Sequence, residues 1–176
     1  MKIHLSLLAL PVLMAQTADG PTIPKAMDGV NPEIMKLVAE DQWDRGEDMF
    51  GHRKGIADDK IDWGAVTRRD EERHKAVRKL LADGKLESGK DYEYAALIFQ
   101  HSYMVTDLML AHTLAVTAIA KGDREARWLA AATFDRYLGS LQQPQVFGTQ
   151  FRQENGGPLT MDPYDRTALT DAVRAS

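Results

Sequence analysis

The residues best placed to do chemistry in this chain are Asp, Arg and His set at helical spacing among apolar neighbours. From the stripe Ile34, Leu37 and Val38, steps of three and four residues land on Asp41, then on Asp44 and Arg45. A second stripe starts at Val66 and passes Asp70 and Arg73 before reaching Val77. Each segment therefore carries an Asp–Arg pair on the side an amphipathic helix buries. Burying a charge is costly unless it is paired. The pairs are either clasps between helices or the lining of a polar cavity, and the sequence leaves both open.

The histidines extend this pattern. Gln100 follows Ala96 and His101 follows Leu97 by one turn, so one of the two faces inward. His112 lies among Leu108, Ala111 and Ala115, on a face of small residues where helices approach closely. A neutral imidazole near pH 7 suits general acid–base work. Asp135 continues the stripe Trp128, Ala131 and Ala132, and an inward carboxylate would hold a neighbouring imidazole in one tautomer. These residue types nominate His101 and His112 as acid–base groups, oriented by Asp135 or Asp41. Arg45, Arg73 and Arg136 are then candidates to grip a substrate carboxylate or phosphate through bidentate contacts. Gln100, Gln145, Thr149 and Gln150 add hydrogen-bonding groups, although the stretch 142–150 could equally be a surface loop pinned by its own amides. No serine sits in a nucleophile elbow, so the expected nucleophile is an activated water. His52 and His74 lie in charged segments and are expected to face solvent. Two histidines without a spaced carboxylate motif, and no HExxH, assign neither a metal nor another cofactor.

The elements that must position these residues are helices. Asn31-Pro32-Glu33 reads as N-cap, N1 proline and first-turn acid, opening a helix that should run to about Phe50. Asp62 caps a second, which ends at Asp83-Gly84. Ser88 and Asp91 have capping-box spacing and start a third, expected to reach about Tyr103. Thr106 or Asp107 should cap a fourth, alanine-rich helix ending at Lys121-Gly122, and Asp123 a fifth, ending at Leu138-Gly139. Short connections predict that helices three to five pack as antiparallel neighbours. Beyond Gly139 the chain turns glutamine- and glycine-rich, with a final short helix predicted over 167–174. No segment alternates with period two long enough to predict a strand. The fold class is all-α: about five helices in antiparallel hairpins, an irregular C-terminal loop and a short last helix.

Residues 31–176 are read as a single helical domain, and 19–30 as a flexible N-terminal stretch of the mature chain. Lys2, the short apolar run Ile3–Met14 and a small residue at Ala15 or Ala18 have the layout of a signal peptide over 1–18. The run is roughly 12 residues, against about 20 needed to span a bilayer. This predicts an exported, periplasmic or secreted protein with no transmembrane segment in its mature part.

Composition narrows the function classes. The chain has 176 residues, 44% of them hydrophobic and 27% charged, a balance typical of a folded domain. The net charge of −4, with Lys and Arg spread out, gives no reason to expect a nucleic-acid partner. With no cysteine, disulfides, thiolate metal sites and cysteine nucleophiles are excluded. A small molecule or a peptide is the expected partner, and the oligomeric state is not fixed by the sequence.

Several motifs also form a combination. Gln100-His101, Ala111-His112-x-Leu114-Ala115, Asp135-Arg136-Tyr137-Leu138 and Pro144-Gln145-x-Phe147-Gly148-Thr149-Gln150 resemble the signature of an uncharacterised bacterial family, a domain of unknown function. The similarity runs from about Asp41 to Arg174 and implies no activity. Ala95 to Leu138 is also similar to a tetratricopeptide or Sel1-type helical hairpin, over little more than one repeat, which implies packing and not function. Two functions remain in competition. One is a hydrolase-like enzyme using an activated water; the other is a non-catalytic peptide- or protein-binding module whose polar residues are clasps. Convergence of Asp41, Arg45, His101, His112 and Asp135 on one pocket would favour the enzyme, and separate, fully paired bridges between helices would count against it.

Overall fold

Asn31 opens the first helix as its sequence predicts. Its Oδ1 accepts from the Glu33 and Ile34 amides at 2.8 and 3.3 Å, and α1 follows over Pro32–Asp44. The structure is a computed structural model that describes residues 20–21, 23, 27–52, 55, 60–153 and 157–174. The proposed leader lies outside the described residues. Within 19–30, described Met27 and Val30 lie against the core.

The chain continues through α2 (Trp63–Ala82), α3 (Gly89–Phe99), α4 (Val105–Ala120), α5 (Ala126–Ser140) and a short α6 (Asp171–Arg174). The architecture is all-α, as the periodicity predicts. The bounds differ from expectation where the chain breaks the helix ladder. α1 stops at Asp44 and not near Phe50, because Gly46 takes φ +74°, which a helix cannot continue through. α3 ends at Phe99, and Ser102 Oγ then accepts from the Met104 amide across the turn into α4. Neither Thr106 nor Asp107 caps α4: the N-cap is Met104, and both residues sit inside the first turn. Asp123 caps a turn just before α5 and not the helix itself, accepting from the Glu125 amide at 3.2 Å. Two short strands, β1 (Phe151–Arg152) and β2 (Thr160–Met161), pair antiparallel in the C-terminal segment. At two residues each they are too short for alternation to reveal.

α4 is the central slab, packed along α3 on one side and α5 on the other, while α1 and α2 cover α3. Ala95, Ala96, Ala111, Ala115, Ala118 and Ala126 are fully buried, and their small side chains let these helices approach closely. Gly89 marks the tightest contact. A Cβ there would lie 2.8 Å from the Asp123 Cβ and 3.0 Å from the Ala118 carbonyl. The larger core side chains, Ile34, Met35, Val38, Val77, Ile98 and Phe99, gather where α1, α2 and α3 meet. Buried Asp91 joins the starts of α1 and α3. Its carboxylate accepts from the Asn31, Glu87 and Ser88 amides at 2.7–2.9 Å, completing the predicted capping box. No helix among the described residues is long and apolar enough to cross a membrane.

Candidate functional site

The polar stripes of α1 and α2 meet. Asp41 is fully buried. It accepts from Arg45 Nη1 at 2.8 Å and from Gln42 Nε2 at 2.8 Å. Arg45 reaches across to α2 with Nη2, 2.6 Å from Asp70 Oδ2. Arg73 answers from α2, bonding Asp70 at 2.7 Å and pairing with Asp44, while Arg69 Nε donates to the same Asp44 at 2.6 Å. Three carboxylates (Asp41, Asp44, Asp70) thus face three guanidiniums (Arg45, Arg69, Arg73). The network is charge-balanced, as a buried ionic cluster must be to persist.

His101, just past the end of α3, joins this cluster from the groove side. Its Nδ1 lies 3.1 Å from Asp41 Oδ2. Burial alone would raise the Asp41 carboxyl, but His101, Arg45 and Arg73 around it hold it below the usual carboxylate value. The bond to a carboxylate places the neutral imidazole's proton on Nδ1 and leaves Nε2 as an acceptor. Among the described residues nothing bonds Nε2. His101 opens onto a groove of about 820 Å³, within the usual range for ligand pockets. Gln42, Arg45, Gln100 and Arg136 contribute polar lining, and Trp63, Leu97, Leu108 and Trp128 supply apolar walls. Arg136 is solvent-exposed on the rim, with Nη1 donating to the Gln100 carbonyl at 3.3 Å.

The sequence-predicted site residues therefore divide. Arg45, Gln100, His101 and Arg136 share the groove, and Asp41 and Arg73 stand behind it within the ion network. His112 does not join them. Its Nδ1 lies 3.0 Å from the Ala130 carbonyl, and its ring rests against Phe134, so it fastens α4 to α5. Asp135 is also elsewhere. Its carboxylate accepts four bonds, from the Val146, Phe147 and Thr149 amides and from Thr149 Oγ1, at 2.8–3.0 Å. Gln145 is saturated too, donating to the Gln150 and Asp162 carbonyls and accepting from the Gln150 amide. Gln150 Nε2 spans from Thr149 Oγ1 to the Ala132 carbonyl. The stretch 145–150 is a loop clamped onto α5, next to a smaller pocket of about 470 Å³ that meets the main groove only at Arg136.

Two side chains depart from expectation. His74 is half-buried and not solvent-facing: it stacks on Phe99 with centroids 5.0 Å apart and bonds the Ile98 carbonyl at 3.2 Å, because its flank of α2 covers α3. Trp128 points outward at 66% exposure, since the buried stripe of α5 runs through Leu129, Ala132 and Asp135. His52 is exposed, beside Asp48. Sequence reasoning did not find the groove's aromatic walls. The available signal was a tryptophan at the start of each of two helices whose inward stripes do not need it. Among the described residues no group of three or more His, Asp or Glu is arranged to hold a metal ion. No family model, curated protein or solved structure matches the chain.

Proposed function

We propose that the groove beside His101 is the active site of a hydrolase that uses an activated water, in a protein exported by the leader-like segment 1–18. The observation that carries this reading is the Asp41–His101 pair: a fully buried carboxylate on Nδ1, no bond to Nε2 among the described residues, and the His101 side chain lining a ligand-sized groove. In that role Nε2 takes a proton from water as its oxygen attacks an acyl carbon. The imidazolium formed is stabilised by Asp41, and the proton passes to the leaving amine or alcohol as the acyl bond breaks. The net reaction consumes one water and yields an acid and an amine or alcohol. Turnover of a panel of N-acyl amino-acid amides and esters in ¹⁸O-labelled water tests it. One ¹⁸O in each product carboxylate is expected at first turnover. Absence of turnover across the panel overturns the proposal.

The rival reading is a non-catalytic binding module. It is favoured by the matched count of carboxylates and guanidiniums, which a structural clasp between α1 and α2 would also require, and by the placement of His112 and Asp135 away from the groove. On that reading ligands bind in the groove and leave unchanged.

A further inference from the structure

The arginines around the site are not equivalent. Arg45 is committed to Asp41 and Asp70, Arg73 to Asp70 and Asp44, Arg69 to Asp44, and Arg78 to Asp107. Arg136 has no carboxylate within ion-pair distance among the described residues. Its single bond is from Nη1 to the Gln100 carbonyl, which holds the stem and leaves Nη2 and Nε available. Although accessible to water, the guanidinium sits in a concave wall. The protein around it, and then the like charge of Arg45, push it below the usual guanidinium value. An incoming anion relieves that repulsion.

We propose that Arg136 is the anchor for a monoanionic carboxylate on the ligand, and that the ligand's apolar or aromatic group lies between Trp63 and Trp128, as in an N-acyl amino acid or a peptide C-terminus. The charge balance of the groove selects the single negative charge. The ion network beneath is neutral by itself, so Arg136 adds one positive charge to the groove, which a single carboxylate matches and a dianion such as a phosphate monoester exceeds. Trp63 and Trp128, 48% and 66% exposed, give flat apolar faces on the groove, and Leu97 and Leu108 close its wall. A carboxylate seated on Arg136 accepts from a planar fork, the geometry that distinguishes arginine from a point charge.

This assignment rests on the groove being the ligand site, and its test separates it from the hydrolytic reading. N-benzoyl-phenylalanine and its neutral amide are titrated into the full chain, with tryptophan fluorescence and calorimetry as readouts. Phenyl phosphate is the third probe. The wild type is expected to bind the carboxylate about tenfold or more tightly than the amide, the worth of one charge-assisted bond. Arg136→Gln should equalise the two ligands, and Arg136→Lys should restore part of the preference. Equal affinity for acid and amide in the wild type, an unchanged preference in Arg136→Gln, no binding of either ligand, or tighter binding of phenyl phosphate would each overturn the assignment. If the preference holds but no substrate is turned over, only the hydrolytic reading fails.

Discussion

Replacing Asp41 with asparagine tests the ionic network at its most buried point. The change keeps the shape of the side chain and removes its charge. In the wild type that carboxylate accepts from Arg45 and Gln42 and partners His101, with the Arg73 guanidinium 3.7 Å away. In Asp41→Asn one oxygen becomes an NH₂ group that confronts these donors, and two guanidiniums lose a counter-charge. Breaking a buried pair by removing one partner costs about 3–5 kcal/mol. Two lost charge-assisted bonds at about 1.5–3 kcal/mol each give a similar sum. A loss of about 4 kcal/mol corresponds to a fall in Tm of roughly 8–16 °C for a domain of this size. Urea unfolding followed by circular dichroism at pH 7 measures it, with the m-value checked for constancy. The pH dependence adds a second constraint. The folded Asp41 carboxyl titrates below its unfolded value of about 3.9, so its contribution is complete above that pH and disappears as pH falls through the folded value. The gap between wild type and variant should be large at about pH 5 and above and should close in stronger acid. A loss below about 1 kcal/mol, or a gap that persists in acid, would refute the network as described.

Other sites give independent outcomes. Gly89→Ala forces a Cβ against the Ala118 carbonyl and the Asp123 side chain, and should destabilise the protein by about 1–3 kcal/mol in thermal unfolding. Asp135→Asn should release the 146–149 amides to rapid hydrogen exchange while α3 and α4 remain protected, since Asp135 accepts directly from three of those amides and from Thr149 Oγ1. Lys90 lies among Glu93, Asp123 and Glu125, and its ammonium is held above the usual lysine value: burial alone would lower it, and the carboxylates more than offset that. Lys90→Met leaves those carboxylates to repel one another, so its stability loss should be larger at pH 7 than at pH 4, measured by urea titration.

How far the sequence reached depends on what each residue had to signal. Asn31, Asp62, Ser88 and Asp91 were readable because a cap must be small, polar and placed just before an apolar run; each bonds as its spacing predicts. The Asp41–Arg45 and Asp70–Arg73 pairs were readable for the same local reason. Their meeting across two helices was not, because periodicity gives the face of one helix and not its neighbour. His112 and Asp135 looked equivalent to His101 in sequence. Only the packing separates them, one turned to a backbone carbonyl and the other wrapped by a loop more than ten residues downstream. Arg136 stands apart from Arg45 and Arg73 because no carboxylate among the described residues lies within ion-pair distance of it, which no single helix reveals. Gly46 escaped as a helix stop because it follows a charged, otherwise helical run, and only its left-handed φ shows the break.

The central claim is that His101 acts on water while Asp41 orients it. The most direct measurement is the rate of hydrolysis of N-benzoyl-glycyl-phenylalanine by wild type and His101→Gln, compared at conditions where urea unfolding shows both fully folded. A fall of a hundredfold or more in kcat, with the binding of N-benzoyl-phenylalanine retained, is the predicted result. Equal rates, or no hydrolysis by the wild type, would contradict it.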